Sequence, residues 1–266
     1  MSTRDEAWDP GTPCWVDLMT TDRAAAWEFY RTVFGWKIVD TGEDFGHYGM
    51  AEVEGRPVAG LGGIPPGNPM PPAWTTYIAS ADADATAAAV TDHGGTILMA
   101  PMQVADQGRM CVAQDPTGAV FGVWQPGAMF GFGVADQPGS VVWNECRTRD
   151  TGAARAFYSS VFGYTYTVMD GAEDYRTIDG AGPGGTVGGI GRLDAGLPEQ
   201  VPAHWMTYFM VADADTTAVA VTAGGGTVQM GPFDSAVGRL AVLTDPQGAA
   251  FAIMAAPADG PQAQQA

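Results

Sequence analysis

Two stretches decide the fold: WVDLMTTDRAAAWEFYRTVFGW at residues 15–36 and WNECRTRDTGAARAFYSSVFGY at residues 143–164. Each opens with a strand-like run and meets an aspartate placed to cap a helix (Asp22, Asp150). Each then carries Phe-Tyr in mid-helix and ends on Phe-Gly followed by an aromatic. Trp15 matches Trp143, Asp17 matches Glu145, and Phe29-Tyr30 matches Phe157-Tyr158, every pair 128 positions apart. Further on, Trp74 and Trp205, Tyr77 and Tyr208, Asp82 and Asp213, and Gly94-Gly95 and Gly225-Gly226 repeat at a spacing of 131. The turn Asp115-Pro116-Thr117-Gly118 recurs as Asp245-Pro246-Gln247-Gly248, now at 130. Register that is strict inside elements and slips only in loops marks a duplicated fold.

Within each copy the pattern is itself double. Residues 13–20 read as a strand, Arg23 to Phe34 as a helix with Ala26, Tyr30 and Val33 on one face, and three short β-runs follow near 36–41, 45–53 and 57–64. After a Pro-rich connector the plan returns: a strand at 73–80, an Ala-rich helix near 82–92, and strands near 96–99, 108–114 and 119–124. The expected fold class is therefore α+β, four βαβββ modules forming two tandem domains. The expected limits are 1–125 for the first domain, 126–140 for a linker, 141–256 for the second domain and 257–266 for a disordered tail.

The chain has 266 residues and a formal net charge of −18, with Lys37 as its one lysine. Such a field repels phosphate backbones and anionic headgroups, so nucleic acid and membrane surfaces are excluded as partners. No apolar run approaches the roughly 18 residues of a membrane span, and the polar, acidic start lacks the plan of a signal peptide. Cys14, Cys111 and Cys146 are odd in number and without metal or disulfide spacing, as expected of reduced thiols in a cytoplasmic protein. Abundant Ala and Gly with little Lys are expected of a GC-rich, actinobacterial genome, a halophile being the alternative.

The Phe-Tyr…Phe-Gly helices and the Asp-Pro-x-Gly turns together resemble the vicinal oxygen chelate superfamily, which includes glyoxalases, bleomycin-resistance proteins and dioxygenases. The resemblance covers residues 13–125 and 141–255. The tandem form, with Gly-Gly at 62–63 and 188–189, resembles an actinobacterial glyoxalase-like or "hydroxylase" group. It implies paired sheets forming a cup that holds a small ligand.

Metal-dependent members of the superfamily hold a divalent ion with His and Glu at set strand positions. Counting by that register places Trp15 and Trp143, Thr76 and Thr207, Gly122 and Ala252, and the neighbourhoods of Leu61-Gly62 and Gly188-Gly189 where ligands would stand. None is a usable donor. The three histidines, His47 on a middle strand, His93 at a helix end and His204 beside Trp205, share no short spacing. The expectation is no metal and no cofactor.

Strand parity then says what lines the cups. Trp15, Asp17 and Met19 point inward in the first copy; Trp143, Glu145 and Arg147 do so in the second. Trp124 and Met254 join them from the last strands, with His204 at an edge. Gly122 and Ala252 are expected to leave volume where a metal would sit. Asp17 and Glu145 are the candidate catalytic groups, since an inward carboxylate needs a partner or a ligand. Trp15, Met19, Trp124, Trp143, Arg147, His204 and Met254 are the candidate ligand-binding residues. The competing structural reading assigns the tryptophans to the core, pairs Glu145 with Arg147, and pairs Asp17 with Arg109 or Arg239. The expected partner is a small aromatic or carbonyl-rich molecule, bound by a chain expected to be a monomer with its domains paired internally, a dimer being the alternative; whether modules pair within each copy or across the linker is open from sequence. An enzyme is favoured; sequestration of an antibiotic without turnover and a metal-dependent lyase or dioxygenase are the alternatives.

Overall fold

A computed structural model describes residues 2–169, 174–180, 182 and 185–257. The tail expected to be disordered falls, from residue 258 onward, outside the described residues.

The first copy runs β1 (Pro13–Thr20), α1 (Arg23–Phe34), β2 (Lys37–Asp40), β3 (Gly49–Val53), β4 (Arg56–Gly63), β5 (Ala73–Ala79), α2 (Ala83–Asp92), β6 (Thr96–Val104), β7 (Gly108–Gln114) and β8 (Val120–Pro126). The second repeats it as β9 (Val141–Thr148), α3 (Thr151–Phe162), β10 (Thr165–Val168), β11 (Tyr175–Asp179), β12 (Thr186–Arg192), β13 (His204–Val211), α4 (Ala214–Ala223), β14 (Thr227–Ser235), β15 (Gly238–Thr244) and β16 (Ala250–Ala255). Four βαβββ modules result. Asp22 accepts the Ala25 N–H at 3.0 Å, and Asp150 accepts that of Ala153 at 2.9 Å. Gly35 and Gly163 close the same two helices at φ +70° and +71°, a region that favours glycine.

Each copy closes its own eight-stranded mixed sheet, in the order β2-β3-β4-β1-β5-β8-β7-β6 and β10-β11-β12-β9-β13-β16-β15-β14. The pairing of modules, open from sequence, is therefore within each copy. The helices do the opposite. α1 packs against α4, and α2 packs against α3, so each hydrophobic core takes residues from both copies. One gathers Leu18, Phe29, Tyr30 and Trp74 with Phe209, Phe251 and Leu243; the other gathers Ile78, Val90 and Phe121 with Phe157, Tyr158 and Trp205. At about 1.5–3 kcal/mol per fully buried large apolar side chain, this seam is a main source of stability.

Tyr30, fully buried, ties the seam. Its hydroxyl accepts from Trp74 Nε1 at 3.0 Å and donates to Asp245 Oδ2 at 3.2 Å, across the two copies. Asp245 Oδ1 meanwhile caps the turn by accepting from the Gln247 and Ala249 amides. Tyr158 is the pseudo-symmetric counterpart, accepting from Trp205 Nε1 at 2.7 Å and facing Asp115. The Asp-Pro-x-Gly aspartates, read from sequence as turn residues, thus also lock one copy to the other.

Two sequence expectations are corrected. Thr76 and Thr207 do not face a cup. They pair with Val16 and Asn144, on the helix side of their sheets, and both hydroxyls donate to the buried Asn144 Oδ1 at 3.0 Å. The superfamily register lands one residue away from the cup-facing position, and in a strand one residue exchanges faces; Thr75, Tyr77, Met206 and Tyr208 are the cup-facing residues. His47 is not on a strand either. It lies at φ +56° in the turn before β3, with Nδ1 3.0 Å from Asp40 Oδ2.

Candidate ligand cups

The face of each sheet turned away from the helices carries one repeated arrangement. In the first copy, Trp15 Nε1 donates to Tyr48 Oη at 3.1 Å. The hydroxyls of Tyr48 and Tyr77 approach Asp17 Oδ2 at 3.5 and 3.0 Å. Strand pairing brings these groups together: Asp17 lies opposite Thr75 and Gly60, and Trp15 lies opposite Tyr77. Asp17 is 7 % exposed, and its other oxygen, Oδ1, is buried without a hydrogen-bond partner. Burial pushes the carboxyl up to about 7, against the two tyrosine hydrogen bonds that favour its charged form. Arg109 and Arg239, the cations considered for it from sequence, instead pair with Asp84 and with Asp215 and Asp234.

In the second copy, Trp143 Nε1 donates to Tyr175 Oη at 2.9 Å, and Tyr208 Oη donates to Glu145 Oε1 at 2.7 Å. Arg147 is the difference between the cups: its Nη1 stands 3.6 Å from Glu145 Oε1, at the position that Met19 holds in the first copy. His204 lies opposite Arg147 on the same face. Its Nδ1 contacts the Pro202 carbonyl at 2.9 Å, which places the ring proton on Nδ1, and burial lowers its pKa. Met254 lies opposite Leu240 on β15, where the first copy has Trp124 opposite Met110.

The tyrosines take the space that the glycines vacate, which corrects the expectation of a vacated metal volume. A Cβ on Gly122 would stand 2.1 Å from the Tyr77 ring, one on Gly60 1.5 Å from Tyr48 Oη, and one on Gly189 1.9 Å from Tyr175 Oη. The cup-face glycines are there to admit tyrosine rings. Ala252, opposite Tyr208, is likewise fully buried.

Trp15 and Trp124 form the closed end of the first cup rather than an open wall. Both are buried, Trp124 Nε1 donates to the Met129 carbonyl at 3.0 Å, and the Phe132 ring packs on Trp15 at 5.7 Å. The linker thus seals that end. Part-exposed side chains in front of Asp17 are Met19, Tyr48, Met50, Thr75 and Met110. In the second copy Trp143, Arg147, Tyr175, His204, Tyr208 and Met254 are all part-exposed, so that cup is the more open one. Sequence parity found the carboxylates and tryptophans. It missed Tyr48, Tyr77, Tyr175 and Tyr208; the repeat of Tyr77 as Tyr208 was visible, but not that their hydroxyls would turn to Asp17 and Glu145.

The donor set does not fit the metal of the metal-dependent superfamily members. The positions in question present indole, hydroxyl and glycine, with tyrosine rings packed over the glycines. Among the described residues, no three His, Cys, Asp or Glu side chains are grouped to hold an ion.

Two eight-stranded mixed sheets built from four βαβββ modules, each with a cup face, define the class. The chain belongs to the glyoxalase/bleomycin resistance protein/dioxygenase superfamily, whose model matches residues 14–123, and a glyoxalase-like domain model matches residues 141–254. It is 43 % identical to the "Putative glyoxylase CFP32" of Mycobacterium tuberculosis, over 92 % of this chain and 94 % of that protein. It is 38 % identical to the anthracycline biosynthesis protein DnrV of Streptomyces peucetius, over 92 % and 93 % of the two chains. Among solved structures it is similar to a Mn(II)-bound glyoxalase from Novosphingobium aromaticivorans (TM-score 0.64, 15 % identity, 95 % and 86 % covered). It is also similar to the 2,3-dioxygenase LapB from a Pseudomonas species (TM-score 0.62, 13 % identity, 93 % of each chain). At those identities the structural likeness concerns the fold. Among the described residues, no helix is long and apolar enough to cross a membrane.

Proposed function

We propose that this protein binds a small planar aromatic or carbonyl-rich metabolite on its cup faces and acts on it by proton transfer at Asp17, without a protein-bound metal. One observation carries the reading: Asp17 Oδ1 is a buried carboxylate oxygen with no partner, on a cup face built of indole, phenol and thioether. An unpartnered buried oxygen costs about 1–3 kcal/mol, which a proton or a ligand donor relieves. With its carboxyl near 7, Asp17 is divided between acid and base at neutral pH, the condition for general acid–base work. Tyr77 and Tyr48 hold Oδ2 and so fix the direction in which Oδ1 gives or takes a proton. Protonated Asp17 donates to a ligand carbonyl oxygen; ionised Asp17 removes a proton beside such a carbonyl. Flat aromatic and sulfur-bearing surfaces suit a polycyclic ligand, and the anthracycline biosynthesis relatives favour a tailoring role in secondary metabolism.

Sequestration without turnover is the second reading, favoured by the −18 charge, which draws cationic drugs. The test is fluorescence titration of chelator-treated protein with 1-hydroxyanthraquinone between pH 5.5 and 8.5. Binding is expected to weaken through pH 7 in the natural chain and to lose that pH dependence in Asp17→Asn. A pH-independent natural chain, or binding only after metal is added, would overturn the proposal. Product analysis on the same ligand class separates turnover from sequestration.

A further inference from the structure

The two cups differ most at one aligned position, Met19 against Arg147, and that difference has a chemical meaning. A guanidinium carries five N–H donors in a planar fork. Among the described residues, the Arg147 guanidinium makes one loose ion pair, 3.6 Å to Glu145, and no hydrogen bond. Its side chain is 29 % exposed and lies on the cup face beside Trp143, Tyr175 and Tyr208. Glu145 already accepts from Tyr208 and interacts with Tyr175, so it serves as the fixed edge that orients the guanidinium. The remaining edges are available to a second acceptor. His204, opposite on the neighbouring strand, has its ring proton committed to the Pro202 carbonyl and presents Nε2 as an acceptor. Arg147 is therefore the cation of this cup, in a chain whose overall charge would otherwise repel anions.

We infer that the C-terminal cup is a separate binding site for an aromatic ligand bearing an oxyanion, a carboxylate or phenolate, anchored by Arg147. The aromatic body lies against Trp143, Tyr175 and Tyr208, while the oxyanion takes the free N–H groups of the fork. The first cup has methionine at the same place, and the lysine on that sheet face, Lys37 of the edge strand β2, is paired with Glu52 at 3.2 Å, so it takes no such ligand. The two halves of the duplication thus have divergent ligand chemistry: a neutral carbonyl ligand at Asp17, an anionic one at Arg147. The inference rests on the reading that the cups take aromatic ligands, but not on Asp17, so Asp17→Asn leaves it unchanged and the two readings can fail separately.

The experiment titrates the full chain with 1-naphthoate and with the neutral 1-naphthalenemethanol, followed by tryptophan fluorescence and by calorimetry. Arg147→Met, which copies the first cup, and Arg147→Lys are compared with the natural chain. Charge-assisted hydrogen bonding predicts naphthoate binding at least about tenfold tighter than the alcohol. Arg147→Met should abolish that preference while alcohol binding holds, with a lower melting temperature because the buried Glu145 loses its cation, and Arg147→Lys should keep part of the preference. The inference is overturned if the natural chain shows no preference, or if naphthoate still binds about tenfold tighter than the alcohol in Arg147→Met. Equal loss of both ligands in Arg147→Met also overturns it, because the arginine would then hold the cup together rather than the ligand.

Discussion

Asp17→Asn should change the protein's stability in opposite senses at low and high pH. The folded-state pKa of about 7 lies above the ordinary aspartate value of 3.8, so between those values the folded chain binds more protons than the unfolded one. The stability that Asp17 contributes is full below about pH 4, falls through the window, and is lost above about pH 7. Three units at 1.36 kcal/mol each amount to about 4 kcal/mol, a large share of the roughly 5–15 kcal/mol of a folded domain. Asparagine keeps the oxygen that accepts from Tyr77 and Tyr48 and removes the titration. Its amide occupies the place of Oδ1 without a partner, a pH-independent cost of about 1–3 kcal/mol. The variant should be less stable than the natural chain near pH 4.5 and more stable at pH 8. Urea unfolding followed by tryptophan fluorescence at five pH values reads the difference directly, since other titrating groups cancel between the two proteins. A stability difference that stays constant from pH 4.5 to 8 would refute the reasoning.

Other outcomes follow from the seam and the glycines. Tyr30→Phe strands Trp74 Nε1 and Asp245 Oδ2 in the core and should cost about 1–3 kcal/mol, seen as a lower urea midpoint with an unchanged slope. Tyr158→Phe, its counterpart in the repeat, should lose a similar amount. Gly122→Ala forces Tyr77 off its 3.0 Å bond to Asp17 and should raise the Asp17 titration midpoint, because that bond favours the ionised form. Residues 1–137 expressed alone expose Phe29, Tyr30 and Trp74, which the second copy covers, and should sediment as a dimer or larger species rather than as a monomer.

Much of this architecture was written in the repeat. The offsets between Trp15 and Trp143 and between Phe29 and Phe157 carried the duplication, and Asp22, Gly35 and their partners carried the helix limits, because caps and φ-positive turns are local chemistry. Parity from Trp15 put Asp17, Met19, Glu145 and Arg147 on one face, since alternation along a single strand needs no tertiary information. What was illegible depends on the other strands. The face of Thr76 turned on one residue of register, and Tyr48 and Tyr175 lie 31 and 30 residues beyond the carboxylates they face. The glycines misled for a related reason: Gly122 reads as missing volume in one dimension and as the seat of the Tyr77 ring in three. The crossing of α1 onto the second copy's α4 and strands likewise has no local signature, because an apolar helix face does not name its partner.

The proposed function rests on Asp17 changing charge near neutrality on its cup face. Carbon-13 NMR of the aspartate side-chain carboxyls, in chelator-treated protein titrated from pH 3 to 9 with Asp17→Asn to assign the signal, measures it. The account predicts one aspartate titrating with a midpoint near 7 and absent from the variant; a midpoint near 4 for Asp17 would contradict it.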